Sequence, residues 1–275
     1  MIVTAQVPVP EPGQYVKSVL IEIHGVRRSN DGTWQHDFQA YIENTTEGVV
    51  VVPFIYDRIP AFQGFSMATL HKMGLKFITD SEIRGFKSFL KKTRDRYPNK
   101  PIDILAHSNG TFIAHEALRE SDVKVRNIVL VQPVISRKLK NTDIPRLYRD
   151  GMFERMFVWS SKNDTVVGKL VRWVSLNGRL PGYGMAGYSG MVRQDSEYDK
   201  EIPRFKPFSG LPLYNVVSDE THGGVLDKGA IYARFLKSQV LRSKDVTFSP
   251  EDVTELVPPY GIEFMSFVSE DAEPG

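Results

Sequence analysis

Residues 102–118 read IDILAHSNGTFIAHEAL. An apolar run breaks at His107, Ser108 and Asn109, and an Ala-rich run with helical spacing follows. The pattern predicts a strand over 102–106, a tight turn, and a helix reaching about residue 120. Ala106 and Gly110 stand two positions before and two after Ser108. A strand-to-helix elbow that lifts a serine hydroxyl clear of a sheet needs small residues at those two places, because the backbones approach closely there. The serine has two readings, a helix N-cap or a nucleophile.

Two other stretches imitate functional motifs. Gly64-Phe65-Ser66-Met67-Ala68 has elbow-like spacing, but Asp57, Arg58 and Pro60 break any strand leading into it, so Ser66 reads as a helix cap. Gly182-Tyr183-Gly184-Met185-Ala186-Gly187 spells G-x-G-x-x-G. A dinucleotide loop needs a strand before that pattern and a helix after it. Gly178 and Pro181 precede it and Tyr188-Ser189-Gly190 follow, so a nucleotide site is not the preferred reading.

Outward from 102–118, apolar runs at 18–24, 49–55, 125–132, 156–160 and 213–217 read as strands. Helical spacing at 33–43, 67–97, 167–176 and 231–241 falls between or after them. Alternation of this kind predicts an α/β fold with a mostly parallel central sheet and helices on both faces. There is no internal repeat or low-complexity linker, so 1–244 is expected to be a single domain. Residues 245–275, with Pro250, Pro258 and Pro259 and an acidic end, read as an irregular C-terminal tail packed on the domain or partly loose. The span 133–155 is too short for a large cap domain.

A serine hydroxyl needs a base within hydrogen-bond reach, and the base needs an acid to orient it. After the apolar run FVWSS, a polar loop carries Asp164. After LYNVV, another carries His222 ahead of Gly223 and Gly224. Taken singly, Asp164 reads as a turn residue and His222 as a loop histidine. In chain order Ser108, Asp164, His222, each following its own strand, they read as a catalytic triad. Asp57 and Asp219 are alternative acids, ranked below Asp164.

With His24-Gly25 ending the first strand, the Ala106–Gly110 elbow, Asp164 and His222, the chain resembles the α/β-hydrolase superfamily over about residues 18–241. Its small lipase- and esterase-like members are the nearest in kind. The resemblance implies an α/β-hydrolase fold without a large cap, and an oxyanion hole made by the backbone N–H groups of Asn109 and Val26. It implies no cofactor. The chain departs from many esterases in having Ala106 at the first elbow position, and Val26-Arg27-Arg28 rather than glycines after His24-Gly25.

The expected activity is therefore hydrolysis of a carboxylic ester, on a small-molecule or lipid acyl substrate, through an acyl-enzyme on Ser108. The sequence leaves open a thioesterase, an amidase or an acyltransferase with the same triad, and an inactive hydrolase-fold binding module. Tyr183, Met185, Tyr188 and Met191, in the Gly-rich loop between Asp164 and His222, are candidates to line an acyl pocket. An ordinary surface loop with its aromatics packed underneath is the competing reading, and glycines there would permit a flap.

Bulk properties narrow the classes further. Thirty-five basic against 33 acidic residues give a net charge of +2, too balanced to suggest a nucleic-acid partner. The absence of cysteine excludes disulfides, thiolate zinc sites and a cysteine nucleophile. His36, His71 and His115 fall in helical spans and form no His-Glu-x-x-His pair, so no metal is expected. His24 and His107 are expected to support the serine site. Arg84, Lys87, Lys91, Lys92, Arg94, Arg96 and Lys100 face a single acid, Asp95. That basic stretch reads as a solvated helix face in preference to a peripheral membrane contact. With no signal peptide and no long apolar span, the sequence predicts a cytoplasmic protein. It carries no indication of oligomeric state.

Overall fold

The computed structural model describes residues 15–25, 33–56, 75–171, 184–191, 211–218, 221–222 and 264–266. Six strands run parallel: β1 (Ser18–Ile23), β2 (Val49–Phe54), β3 (Ile102–His107), β4 (Asn127–Val131), β5 (Arg155–Ser161) and β6 (Leu213–Ser218). A short seventh, β7 (Phe264–Ser266), pairs antiparallel with β6, and the order across the sheet is β2-β1-β3-β4-β5-β6-β7. The helices are α1 (Thr33–Thr45), α2 (Leu75–Arg96), α3 (Asn109–Arg119), α4 (Ile144–Arg149) and a single turn, α5 (Ala186–Ser189).

The strands run near-continuously apolar because both faces of a parallel sheet are covered. One face packs Ile21, Ile23, Ile104 and Ala106 with Phe86 and Leu90 of α2 and Ile113 and Ala117 of α3. The other packs Leu20, Leu105, Val129, Phe157 and Trp159 with Phe38 and Ile42 of α1. The order in which strands are added reverses after β2, so that β1 has β2 on one side and β3 on the other. The C-terminal ends of β1 and β3 therefore flank a switch point, where α/β sheets open a crevice for ligands.

Most predicted elements form, with shifted ends. The strand expected over 125–132 begins only at Asn127, because the Val125 N–H donates to the Met152 carbonyl instead of a sheet neighbour. The helix expected over 167–176 is described from Val166 to Val171, and it is a π-helix. The tail read as irregular contributes β7, which covers the open side of β6. The span 133–155 holds a 3₁₀ turn and α4 and no cap. The predicted helix 231–241 lies outside the described residues. Within the basic stretch, Arg94 donates to the carbonyls of Lys100 and Lys124, tying the end of α2 to the loops around β3 and β4. Among the described residues no helix is long and apolar enough to cross a membrane.

Glu22 is the anomaly of this core. It sits next to last in β1 opposite Pro53 and Leu105, fully buried, and among the described residues neither carboxylate oxygen has a hydrogen-bond partner. Burial, with the charge of Glu43 adding to it, pushes its carboxyl well above the ordinary range. The unfolded chain loses that proton above about pH 4.5 whereas the folded chain keeps it, so this residue lowers stability progressively as pH rises. Glu22→Met should stabilise the fold by about 1–3 kcal/mol at pH 8, the usual cost of an unsatisfied buried polar group. Urea melts at pH 5 and pH 8 should show the advantage of the variant widening with pH.

Candidate active site

Ser108 occupies the turn between β3 and α3 with φ 51° and ψ −122°. Positive φ is strained for a residue with a Cβ and costs about 1–3 kcal/mol, so the surroundings must enforce it. They do so from three sides. The Ser108 N–H donates to the Val131 carbonyl at 3.0 Å. The Ser108 carbonyl accepts from the Thr111 N–H at 3.0 Å and from Thr111 Oγ1 at 2.6 Å. Thr111 Oγ1 in turn accepts from the Val134 N–H. The turn is fastened to the end of β4 as well as to its own helix.

Gly110 is required by the same approach. A Cβ there would stand 2.5 Å from the His24 carbonyl oxygen and 2.8 Å from that of Ile23. At Gly25 it would stand 2.8 Å from Ser108 Cβ and 3.3 Å from Ser108 Oγ. The chain leaving β1 thus passes directly beside the serine hydroxyl. His24 is locked at this crossing, its ring stacked on Tyr56 at 4.1 Å and its carbonyl accepting from Tyr56 Oη at 2.8 Å. Its Nδ1 lies 2.5 Å from the Gly25 carbonyl and its Nε2 accepts from the Tyr56 N–H. These contacts set a neutral ring with the proton on Nδ1.

Ser108, Asp164 and His222 come together. Ser108 Oγ donates to His222 Nε2 at 2.9 Å, and His222 Nδ1 donates to Asp164 Oδ2 at 2.8 Å. Asp164 follows β5 and is fully buried. Its other oxygen, Oδ1, accepts from the Val167 N–H, which fixes the carboxylate plane and starts the π-helix. His222 is partly exposed. Asn109 opens α3, placing its amide at the positive end of the helix dipole. Val26, Tyr183, Asp57, Asp219, Ser66 and His71 lie outside the described residues.

The Gly-rich loop behaves differently from an irregular flap over the part described. Gly184 and Gly187 donate their N–H groups to the carbonyls of Val134 and Pro133. A Cβ on Gly184 would meet the Ser136 backbone at 2.5 Å, and on Gly187 the Gln132 carbonyl carbon at 2.4 Å. These glycines of the G-x-G-x-x-G pattern serve close backbone packing, and the turn α5 forms between that contact and Asn215. Asn215 Oδ1 accepts from the Met191 N–H and its Nδ2 donates to the Met191 carbonyl. Met191 is fully buried, whereas Met185 and Tyr188 are half-buried against the core, with the Tyr188 ring directly over Gly168.

Two further polar residues bond to the backbone of Thr221 and His222. His107 Nε2 is 3.2 Å from the His222 carbonyl and 3.4 Å from Gln132 Oε1. Gln132, which the sequence reading passed over, donates from Nε2 to the Thr221 carbonyl at 2.9 Å. It stands at the end of β4 as His107 stands at the end of β3, and a polar residue between an apolar strand and Pro133 was the available signal. Burial, with the nearby His222 adding to it, holds the His107 imidazole down at about 3. Between that value and about 6.5 the unfolded chain binds a proton the folded chain refuses, so stability falls as pH falls through this window. Acidification from pH 6.5 to 5 should cost about 2 kcal/mol through this residue. Urea melts of wild type and His107→Gln at both pH values should show that increment missing from the variant.

No protein-family model matches the sequence, and no curated protein matches it either. Similarity appears among solved structures. Esterase PE8 is 11% identical with a TM-score of 0.50, the alignment covering 83% of this chain and 95% of that one. TT1662 from Thermus thermophilus is 13% identical with a TM-score of 0.50, over 86% of this chain and 92% of that one. XC6422 from Xanthomonas campestris, described as an α/β serine hydrolase without lid, is 14% identical with a TM-score of 0.49.

Proposed function

We propose that this chain, whose fold is that of the α/β hydrolases, is a serine hydrolase that cleaves carboxylic esters through an acyl-enzyme on Ser108. The observation that carries the reading is the continuous relay from Ser108 Oγ through the His222 ring to buried Asp164, at 2.9 and 2.8 Å. Such a relay at the switch point of a parallel sheet has one chemical use that accounts for all three partners, activation of a hydroxyl at neutral pH.

On this reading His222 Nε2 accepts the Ser108 proton as Oγ bonds to the ester carbonyl carbon. Asp164 holds the imidazole with Nδ1 protonated and stabilises the imidazolium that forms. The carbonyl oxygen, now negative, is held by the backbone N–H groups of Asn109 and Val26. The bond to the alkoxy group then breaks, and His222 Nε2 returns the proton to the departing alcohol. Water, deprotonated by the same nitrogen, attacks the acyl carbon and releases the acid with Ser108 restored.

Met185 and Tyr188 are the proposed apolar lining for the acyl group. Both stand at the sheet end that carries Asp164 and Ser108, on a turn bonded to residues 133–135. The substrate class is a small-molecule or lipid acyl ester. Rates for matched p-nitrophenyl esters, acyl thioesters and anilides test the reaction class. The reading expects esters to turn over with a burst of nitrophenol and to exceed the anilides by orders of magnitude. Turnover of none of the three would contradict it.

A further inference from the structure

The relay depends on where His222 is held. Thr221 and His222 follow β6 in a loop, and the carbonyls of both accept hydrogen bonds from side chains of other strands. Gln132 Nε2 donates to the Thr221 carbonyl at 2.9 Å. His107 Nε2 is 3.2 Å from the His222 carbonyl and 3.4 Å from Gln132 Oε1. With carbonyl oxygens as its two neighbours, that nitrogen carries the ring proton and donates. The result is a bridge from the end of β3 to the end of β4 to two successive carbonyls of the loop that presents the base.

The anchors of the bridge are themselves fixed. Gln132 is fully buried, with φ 47°, and its N–H donates to the Trp159 carbonyl at 2.8 Å. Gly187 packs on its backbone closely enough that a Cβ would stand 2.4 Å from the Gln132 carbonyl carbon. The strained backbone aims the amide across the strand ends and the packing keeps it there. His107 is the residue immediately before Ser108, buried, with its ring 5.1 Å from that of His222. Any displacement of the base loop relative to the serine must break these bonds.

We infer that Gln132 and His107 are positioning residues: they clamp the backbone of Thr221 and His222 and so set the His222 Nε2 to Ser108 Oγ distance. The inference rests on the proposed hydrolase reading. Neither residue touches the reacting atoms. A misplacement of the base by about 1 Å is enough to lower turnover by about two orders of magnitude. Loss of the clamp therefore lowers the chemical step and leaves substrate affinity nearly unchanged.

Four variants with two readouts test this. Gln132→Met keeps the volume and removes both hydrogen bonds, and His107→Met does the same for the imidazole. His107→Gln keeps a donor where Nε2 stood, and Gln132→Glu keeps the shape while turning an acceptor toward the Thr221 carbonyl. For a short-chain nitrophenyl ester, kcat is expected to fall about 10- to 100-fold in Gln132→Met, Gln132→Glu and His107→Met, with KM within about twofold. His107→Gln is expected to recover most of the loss. The low-field ring N–H resonance of His222 should broaden in the three impaired variants and persist in wild type and His107→Gln.

A change in kcat under twofold in Gln132→Met and Gln132→Glu, in folded protein, would overturn the clamp. So would an equal loss in His107→Gln and His107→Met, since packing alone would then explain it. A wild-type protein that neither hydrolyses esters nor reacts with a fluorophosphonate would overturn the hydrolase reading and the clamp with it. Active wild type with unaltered variants overturns the clamp alone.

Discussion

Replacing Ser108 with alanine should reduce kcat for an activated ester by about 10⁶-fold, with the fold intact. Removing Oγ leaves His222 with a proton acceptor and nothing to accept from, so the covalent route closes. The proposed oxyanion donors are backbone groups that the change leaves in place, so a residual rate above that of water is expected. Stability should not fall. Positive φ is strained for alanine as for serine, and the bonds that enforce the turn come from the backbone of residue 108, which the substitution retains. Steady-state kinetics with a denaturant melt on the same sample separate loss of chemistry from loss of fold.

Asp164→Asn should lower kcat by about 10⁴-fold, or about 5 kcal/mol of transition-state stabilisation. The direction follows from the hydrogen bonds around the buried carboxylate. Oδ1 accepts from the Val167 N–H, so an asparagine must keep its carbonyl oxygen there. Its NH₂ then faces His222 Nδ1, which has to become an acceptor. The ring proton moves to Nε2, the nitrogen beside Ser108 Oγ, and the base is lost while the geometry is retained. A crystal structure of the variant with the three side chains in place, together with the kinetic loss, is the expected result. A loss below tenfold would show that Asp164 does not set the tautomer.

The elements that position this site were largely visible in the sequence, because each candidate side chain lies within a few residues of the end of an apolar strand. Strands that run parallel must place their C-terminal ends together, so Ser108 after β3, Asp164 after β5 and His222 after β6 converge without any knowledge of loop shape. What was hidden depends on which strands are neighbours. Gln132 matters only because β4 lies between β3 and β5, which brings its amide to the loop after β6. Tyr56 matters only because β2 flanks β1, which lays its ring on His24.

Features that the sequence left open or unmarked have local causes. The sequence left Gly184 and Gly187 open to a flap or to packing, and a Cβ at either would meet the backbone of 132–136. β7 is only Phe264–Ser266, too short to show a period of its own, and its structure comes from the edge that β6 offers. Glu22 looks like an ordinary polar residue in SVLIEI, and its burial follows from coverage on both faces of the sheet, a property of the assembled fold.

Ser108 Oγ is expected to form a covalent bond with an acyl-like electrophile. Intact-mass spectrometry after exposure to a fluorophosphonate, followed by peptide mapping, reads this directly. One adduct per chain is expected, located on Ser108 within IDILAHSNGTFIAHEAL and absent after Ser108→Ala. A stoichiometric adduct on any other residue, or none on folded wild-type protein, would contradict it.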